Sequence, residues 1–309
     1  MPEPPHPFDR RFLLVTGKGG VGKSTVTAML ALRSAQQGHK TLVMELNTQP
    51  RVAELLGHEA AGPEVTCVER NLWLVNIDPS RALEEYAVMK LRFRALYKLV
   101  FENPVMQSLV RFVPGLNDLL MLGKAFNHER ETDEDGGPAW DRILIDAPAT
   151  GHGITFFRLP KIIRDAVPAG NMHRETAEMW ALLTDPQRTA VHLVALPEEL
   201  PVRETTELHA HLRDLGLPLG HLFLNMVPPP LLDATTRADF DRLRSRPADA
   251  RLGLLWDITQ VRLGREAQAT GYAEELSALR LPQVTLPMQY SPTFGRPQIE
   301  ALLGALPAS

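Results

Sequence analysis

Two lysines five residues apart, Lys18 and Lys23, lie in the run GKGGVGKS from Gly17 to Ser24. The run fits G-x-x-x-x-G-K-[ST], the pattern of a loop that cradles phosphates. Backbone N–H groups of Gly17, Gly19, Gly20, Val21 and Gly22 can turn toward phosphate oxygens. A helix opening directly after them, through Ser24 and Thr25, adds its N-terminal dipole. In such a loop Lys23 reaches the β- and γ-phosphates and the Ser24 hydroxyl goes to Mg²⁺. The Mg²⁺ end also needs an acid. The apolar run RILIDAP places Asp146 at the end of an expected strand, where that acid belongs. A competing pattern shares the glycines. Gly17, Gly19 and Gly22 also read as G-x-G-x-x-G, and Glu45 ends the next apolar run about where a ribose-binding acid would stand. A dinucleotide loop has no use for Lys23 and Ser24 immediately after its last glycine, so the phosphate loop is preferred. Lys18, at the loop's second position, lies on its outer side and cannot easily wrap inward. By residue type alone it is a solvated loop lysine.

The elements that must hold these groups are legible as short apolar runs. RFLLVTG, TLVMEL, LWLVNID, RILIDAP, AVHLVAL, GHLFLNMV and QVTLPM lack polar alternation, as strands covered on both faces do. Helical patterns follow most of them, for example Lys23 to Gln37 and Val202 to Leu215. The alternation predicts an α/β fold: a mostly parallel sheet with helices on both faces, as one domain over residues 1–309. Two regions break the rhythm. Arg81 to His128 is strandless and helical, cut by Pro104 and Pro114 into about three helices, and reads as an inserted helical subdomain. The acidic run ERETDEDGGPAWD after it reads as a solvated loop. Asp241 to Leu281 is charged and mostly helical, with no assigned place.

Composition narrows the function classes. The chain has 309 residues, 44% of them hydrophobic, enough for a sizeable core. The net charge of -4, with no basic stretch, argues against a general nucleic-acid binder. Cys67 is the one cysteine, so no disulfide forms within the chain, which fits a cytoplasmic setting. No apolar stretch is long enough to span a bilayer. The start, MPEPPHPFDR, lacks the apolar core of a signal peptide and is expected to fray.

With its second lysine, GKGGVGKS resembles the phosphate-loop ATPases that carry a signature lysine and act as face-to-face dimers. LIDAPATGHGITFFRLP, from Leu144 to Pro160, is similar to the second switch of the arsenite-pump ATPase family, which includes the tail-anchored-protein targeting ATPases. VNIDPSRAL, VALPEELPVRET and LFLNMV resemble that family in matching order, so the similarity runs from about Phe12 to the end and is loose between Asp233 and Leu281. The resemblance implies ATP and Mg²⁺ as ligands and a homodimer or a heterodimer with a related ATPase. It implies that Lys18 crosses to the neighbour's phosphates, as an arginine finger in trans does. It places Asp146 at the Mg²⁺ end, Gly151 and His152 in a switch sensing the γ-phosphate, and Asn225 at the adenine edge, where an amide offers both a donor and an acceptor. LPMQYSPTFGRP should flank the adenine. The targeting relatives also imply that the helical insertion, with Met89, Met106 and Met121, forms an apolar groove for a hydrophobic helix; simple packing against the sheet or the dimer mate is the other reading.

The chain departs from the family in two places. Its first switch reads MELNTQPRVAELLG, which puts Asn47 where the family has the hydrolytic aspartate. Asparagine takes no proton from water but can orient one, as a glutamine does in some GTPases. Glu45, two residues earlier, either stands in partly or merely ion-pairs nearby. Slow hydrolysis and a partner chain with the competent residue are both consistent with Asn47. The second departure concerns cargo. Arsenite needs several thiolates and the chain has one, and it has no C-x-x-C. His209 and His211 point apart on their expected helix and make no metal pair.

Overall fold

In the central strands, alternate side chains enter two different cores. Phe12 and Leu14 of β1 (Phe12–Gly17), Leu42 and Met44 of β2 (Thr41–Glu45), and Ile143 and Ile145 of β5 (Arg142–Asp146) face one layer. Leu13 and Val15, Val43, and Leu144 face the other. Both sets are fully buried, which is why these runs show no polar alternation. The computed structural model describes residues 6–46, 50–77, 116–148, 150–167, 169–244 and 250–307.

The sheet is completed by β3 (Thr66–Glu69), β4 (Leu72–Asn76), β6 (Thr189–Ala195), β7 (Leu219–Val227) and β8 (Gln283–Pro287), in the order β3-β4-β2-β5-β1-β6-β7-β8. Every pairing is parallel except β3 with β4. The seven expected runs are all strands. The antiparallel edge strand β3, TCVE, has half-exposed to exposed side chains and carries no apolar run to announce it.

One face is covered by α1 (Lys23–Gln36), α2 (Val52–Leu55) and the later helix α9 (Arg296–Leu302). The other is covered by α3 (Leu116–Glu129), α4 (Thr150–Ala166), α5 (Asn171–Thr184) and α6 (Glu199–Asp214). The charged region that sequence left unplaced forms α7 (Ala234–Arg244) and the long α8 (Ala250–Ser277), whose Leu276 enters the core while Leu254, Leu255, Ile258 and Val261 are exposed. No helix among the described residues is long and apolar enough to cross a membrane.

Three expectations change. The start of the chain is packed from residue 6 on: Phe8 is buried, and the Pro7 carbonyl accepts a hydrogen bond from Nε2 of buried His192 at 3.0 Å. The acidic loop before β5 is tied down. Asp133 Oδ1 accepts the backbone N–H groups of Asp135 and Gly137, and Trp140 is buried edge-on to Trp73. Of the helical insertion, residues 81–115, with Met89 and Met106, lie outside the described residues. In the part described, Leu119 to Leu122, Ala125 and Phe126 of α3 are buried on the α4 face of the sheet, and Met121 is 2% exposed. Met121 is core, not groove.

Candidate nucleotide site

Because the sheet is parallel, β1, β2, β5 and β7 end on one edge, and their last residues meet there. In register, Val15 of β1 pairs with Asp146 of β5, and Asp146 pairs with Glu45 of β2. Ligands of open parallel sheets bind at this edge, where loops and helix N-termini converge. The loop from Gly17 to Gly22 crosses it and enters α1 with Gly22 as the cap.

Two glycines of the loop are required by geometry. A Cβ on Gly17 would lie 2.4 Å from the Val194 carbonyl oxygen, and one on Gly22, at φ 91°, would lie 2.2 Å from Nδ2 of Asn225. Gly20 has φ 85° but open space around it. Gly20→Ala should therefore show only the left-handed backbone cost, about 1–2 kcal/mol in denaturant unfolding. Gly22→Ala should cost at least about 3 kcal/mol, because the clash adds to the strain, and it should weaken ATP binding as the loop shifts. Equal losses for the two would show that the Asn225 contact is not rigid.

Lys23 is 9% exposed, and its Nζ donates to the Lys18 carbonyl at 3.1 Å, so the ammonium curls back under its own loop. Burial holds it below the usual lysine pKa, against the opposing pull of Asp146. Ser24 Oγ donates to Asp146 Oδ2 at 2.6 Å. Asp146 Oδ1 is buried and has no hydrogen-bond partner among the described residues. Burial pushes this carboxyl up to about 6, although Ser24, Lys23 and Thr27 work to lower it. A hydroxyl and a carboxylate with one oxygen unsatisfied form the hard oxygen donor set that Mg²⁺ takes, so these residues fit that ion.

Glu45 is 1% exposed. Its Oε1 accepts the N–H groups of Arg51 and Val52 at 2.6 and 2.7 Å, and its Oε2 has no partner among the described residues. Burial raises it to about 7, and the Asp146 carboxylate adds to the rise while the two backbone donors oppose it. Neither sequence reading anticipated this arrangement, since the partner is the start of α2 and not a cation. Asn47 falls outside the described residues. Gly151 and His152 lie in the first turn of α4, just beyond Asp146 and Ala147.

Asn225, 3% exposed, lies beneath the loop. Its Nδ2 donates to the Val21 carbonyl and its Oδ1 accepts from the Met226 N–H, each at 2.9 Å. Lys18 ends elsewhere: its ammonium pairs with Glu204 on α6. Glu204 was missed by sequence reasoning, and no local signal marks it, since the two residues are 186 apart in the chain. Cys67 is exposed on the edge strand β3, away from this edge's central strands.

A family model described as an anion-transporting ATPase matches residues 10–177, more than half of the 309-residue chain and the whole stretch from the phosphate loop through Asp146 to α4. The chain belongs to that family. ATPase BagA of Mycobacterium tuberculosis is 31% identical over 297 residues, covering 90% of this chain and 87% of that one. The arsenical pump-driving ATPase of Escherichia coli is 26% identical over 71% of this chain and 40% of its own length. ATPase GET3 of Kluyveromyces lactis is 26% identical over half of this chain and 46% of its own. In this member of the anion-transporting ATPase family, Lys23, Ser24 and Asp146 stand together at one edge of the sheet, and Lys18 stands apart from them on Glu204.

Proposed function

We propose that the protein is a dimeric ATPase whose nucleotide state switches a helical partner-binding region. The observation that carries the reading is the Ser24–Asp146 hydrogen bond at the head of α1, beside the buried ammonium of Lys23. Lys23 would leave the Lys18 carbonyl for the β- and γ-phosphates of ATP. Ser24 and Asp146 would hold Mg²⁺, which when bound neutralises charge on the phosphate oxygens. Asn225 still has one amide N–H and one oxygen lone pair uncommitted, enough to read the adenine edge. Exposed Tyr290 and Phe294, in the segment after β8, offer apolar surface for the base.

Lys18 would serve a second copy or a related chain. Its pair with Glu204 is partly exposed, 38% and 27% for the two side chains, and such pairs contribute at most about 1 kcal/mol. An incoming polyphosphate can displace it. The switch would be transmitted through α4, which starts four residues after Asp146 and packs on α5, α6 and α3. The client is a hydrophobic helix if the inserted region from 81 to 115 forms the groove; α3 itself is committed to the core.

A second reading, a slowly hydrolysing nucleotide-dependent scaffold or the weak half of a heterodimer, is favoured by Asn47. One experiment separates them. Single-turnover hydrolysis at saturating Mg²⁺-ATP should be slow in the wild type, and Asn47→Asp should raise it by at least about tenfold with ATP affinity unchanged, since a carboxylate polarises water better than an amide. Fast wild-type hydrolysis that Asn47→Asp leaves unaltered would show that the attacking water is oriented by another group.

A further inference from the structure

On the sheet face away from α1, α4 and α6 pack side by side, and a cleft of about 350 Å³ opens between them. α4 turns Ile154, Arg158, Lys161, Ile162 and Asp165 toward it, the i, i+4, i+7, i+8 and i+11 positions of one helix face. α6 adds His211, Asp214 and Leu215 from its C-terminal end. The cleft is separate from the phosphate loop: Glu204, which pairs with Lys18, comes about 10 Å of helix before His211.

The two acids of the cleft are engaged by arginines that do not line it. Asp165 Oδ1 accepts the Nε and a terminal N–H of Arg164 at 2.9 and 2.7 Å, and Asp214 Oδ1 lies 3.9 Å from the Arg213 guanidinium. The cations of the cleft are left over. The Arg158 side chain and the His211 ring have no hydrogen-bond or ion partner among the described residues, and the Lys161 ammonium lies 5.8 Å from the centroid of the Trp180 ring on α5. Arg158 and Lys161 are therefore an excess of positive charge. They stand beside apolar surface: Ile154 and Leu215 are half-buried, and Ile162 is 46% exposed. A guanidinium without a partner presents a planar fork of donors that matches a carboxylate or a phosphate. Small-molecule sites of roughly 300–1,000 Å³ combine an apolar lining with a few polar groups that fix orientation. We propose that the cleft between α4 and α6 is a binding site for an organic anion with a short apolar body. Arg158 holds the head, Lys161 and His211 flank it, and Ile154, Ile162 and Leu215 cover the body.

Isothermal titration of the nucleotide-free full chain tests this with octanoate and octyl phosphate, against octanol, which lacks the charge, and acetate, which lacks the body. At least one of the two long anions should bind with a dissociation constant in the range of about 1 mM or tighter, and the tighter of the two identifies the head group. Octanol and acetate should each bind at least about tenfold more weakly than that anion. Arg158→Ala removes the charge-assisted bonds to the head, and Ile162→Asp sets a like charge against the ligand. Each should weaken binding by at least about tenfold. Arg158 and Ile162 are exposed, so both variants should fold. Absence of binding by both anions at about 10 mM would overturn the site. So would octanol binding as tightly as the anions, or wild-type affinity in either variant. Binding lost in Lys23→Ala but kept in Arg158→Ala would place the anion in the phosphate loop and overturn the site as well. The titration does not depend on ATP turnover, so a chain that hydrolyses no ATP would end the proposed function and leave this test standing.

Discussion

Lys23→Ala is expected to weaken ATP binding by about a hundredfold or more and to remove turnover, whereas Lys18→Ala is expected to leave ATP binding within about threefold. The difference follows from where the two ammonium groups lie. Lys23 is buried under the loop and bonded to its backbone, at the place where the proposed function puts the chain's own phosphates. Several hydrogen bonds from an ammonium to a charged phosphate are worth about 3 kcal/mol, which is about a hundredfold in affinity. The Lys18 ammonium ends on Glu204 of α6, away from Lys23, Ser24 and Asp146. If it acts on a partner's phosphates as the family resemblance implies, its loss should lower turnover by about 10³, the range of fingers supplied in trans. Isothermal titration with ATP and single-turnover hydrolysis separate the two effects. Equal loss of binding in both variants would remove the division of labour. Neither variant should melt far from wild type, because the Lys18 pair is partly exposed and the Lys23 bond is to a carbonyl on its own loop.

Asp146→Asn is expected to lower Mg²⁺-dependent hydrolysis by at least about a hundredfold and, in the absence of nucleotide, to stabilise the protein at pH 8. The sign of the second effect comes from the carboxyl's pKa, raised by burial to about 6 from the ordinary aspartate value of about 3.9. A carboxyl whose folded pKa is raised holds its proton more tightly in the folded state. Its contribution is therefore complete below about pH 4 and is lost as the pH rises through 6. Above pH 7 the buried charge costs on the order of 3 kcal/mol, which asparagine avoids. Thermal melts of the nucleotide-free protein should show the variant several degrees above wild type at pH 8 and close to it at pH 4. Mg²⁺-nucleotide affinity in the wild type should rise between pH 5.5 and 7.5, because a cation competes with the proton on Asp146. Affinity independent of pH over that interval would place the metal elsewhere. Glu45 titrates in the same window, and Asp146→Asn removes the repulsion between them, so part of the stabilisation appears as a lower Glu45 pKa.

Much of this protein is written locally. The loop from Gly17 to Ser24 is one continuous run, so its residues and its place between a strand and a helix are legible, while the contacts that require glycine at Gly17 and Gly22 come from Val194 and Asn225, far away in the chain. The seven apolar strands are legible for a similar reason: burial on both faces removes polar residues from the run. Asn47 is legible as a departure only against the family pattern. What sequence does not carry is adjacency. Glu45 and Asp146 are neighbours because β2 pairs with β5 across the whole length of the insertion, and both carboxyls are raised chiefly because that edge of the sheet is buried. Glu45 as the acceptor for the Arg51 and Val52 N–H groups was hidden because the donors are backbone groups, which no side-chain pattern reports. Glu204 was hidden because an ion pair across the fold depends on how α6 lies over the loop. β3 was hidden because an exposed antiparallel edge needs no apolar face. Met121 looked like groove or core alike, since an apolar stripe records only that something covers it; tertiary packing decided that the sheet does.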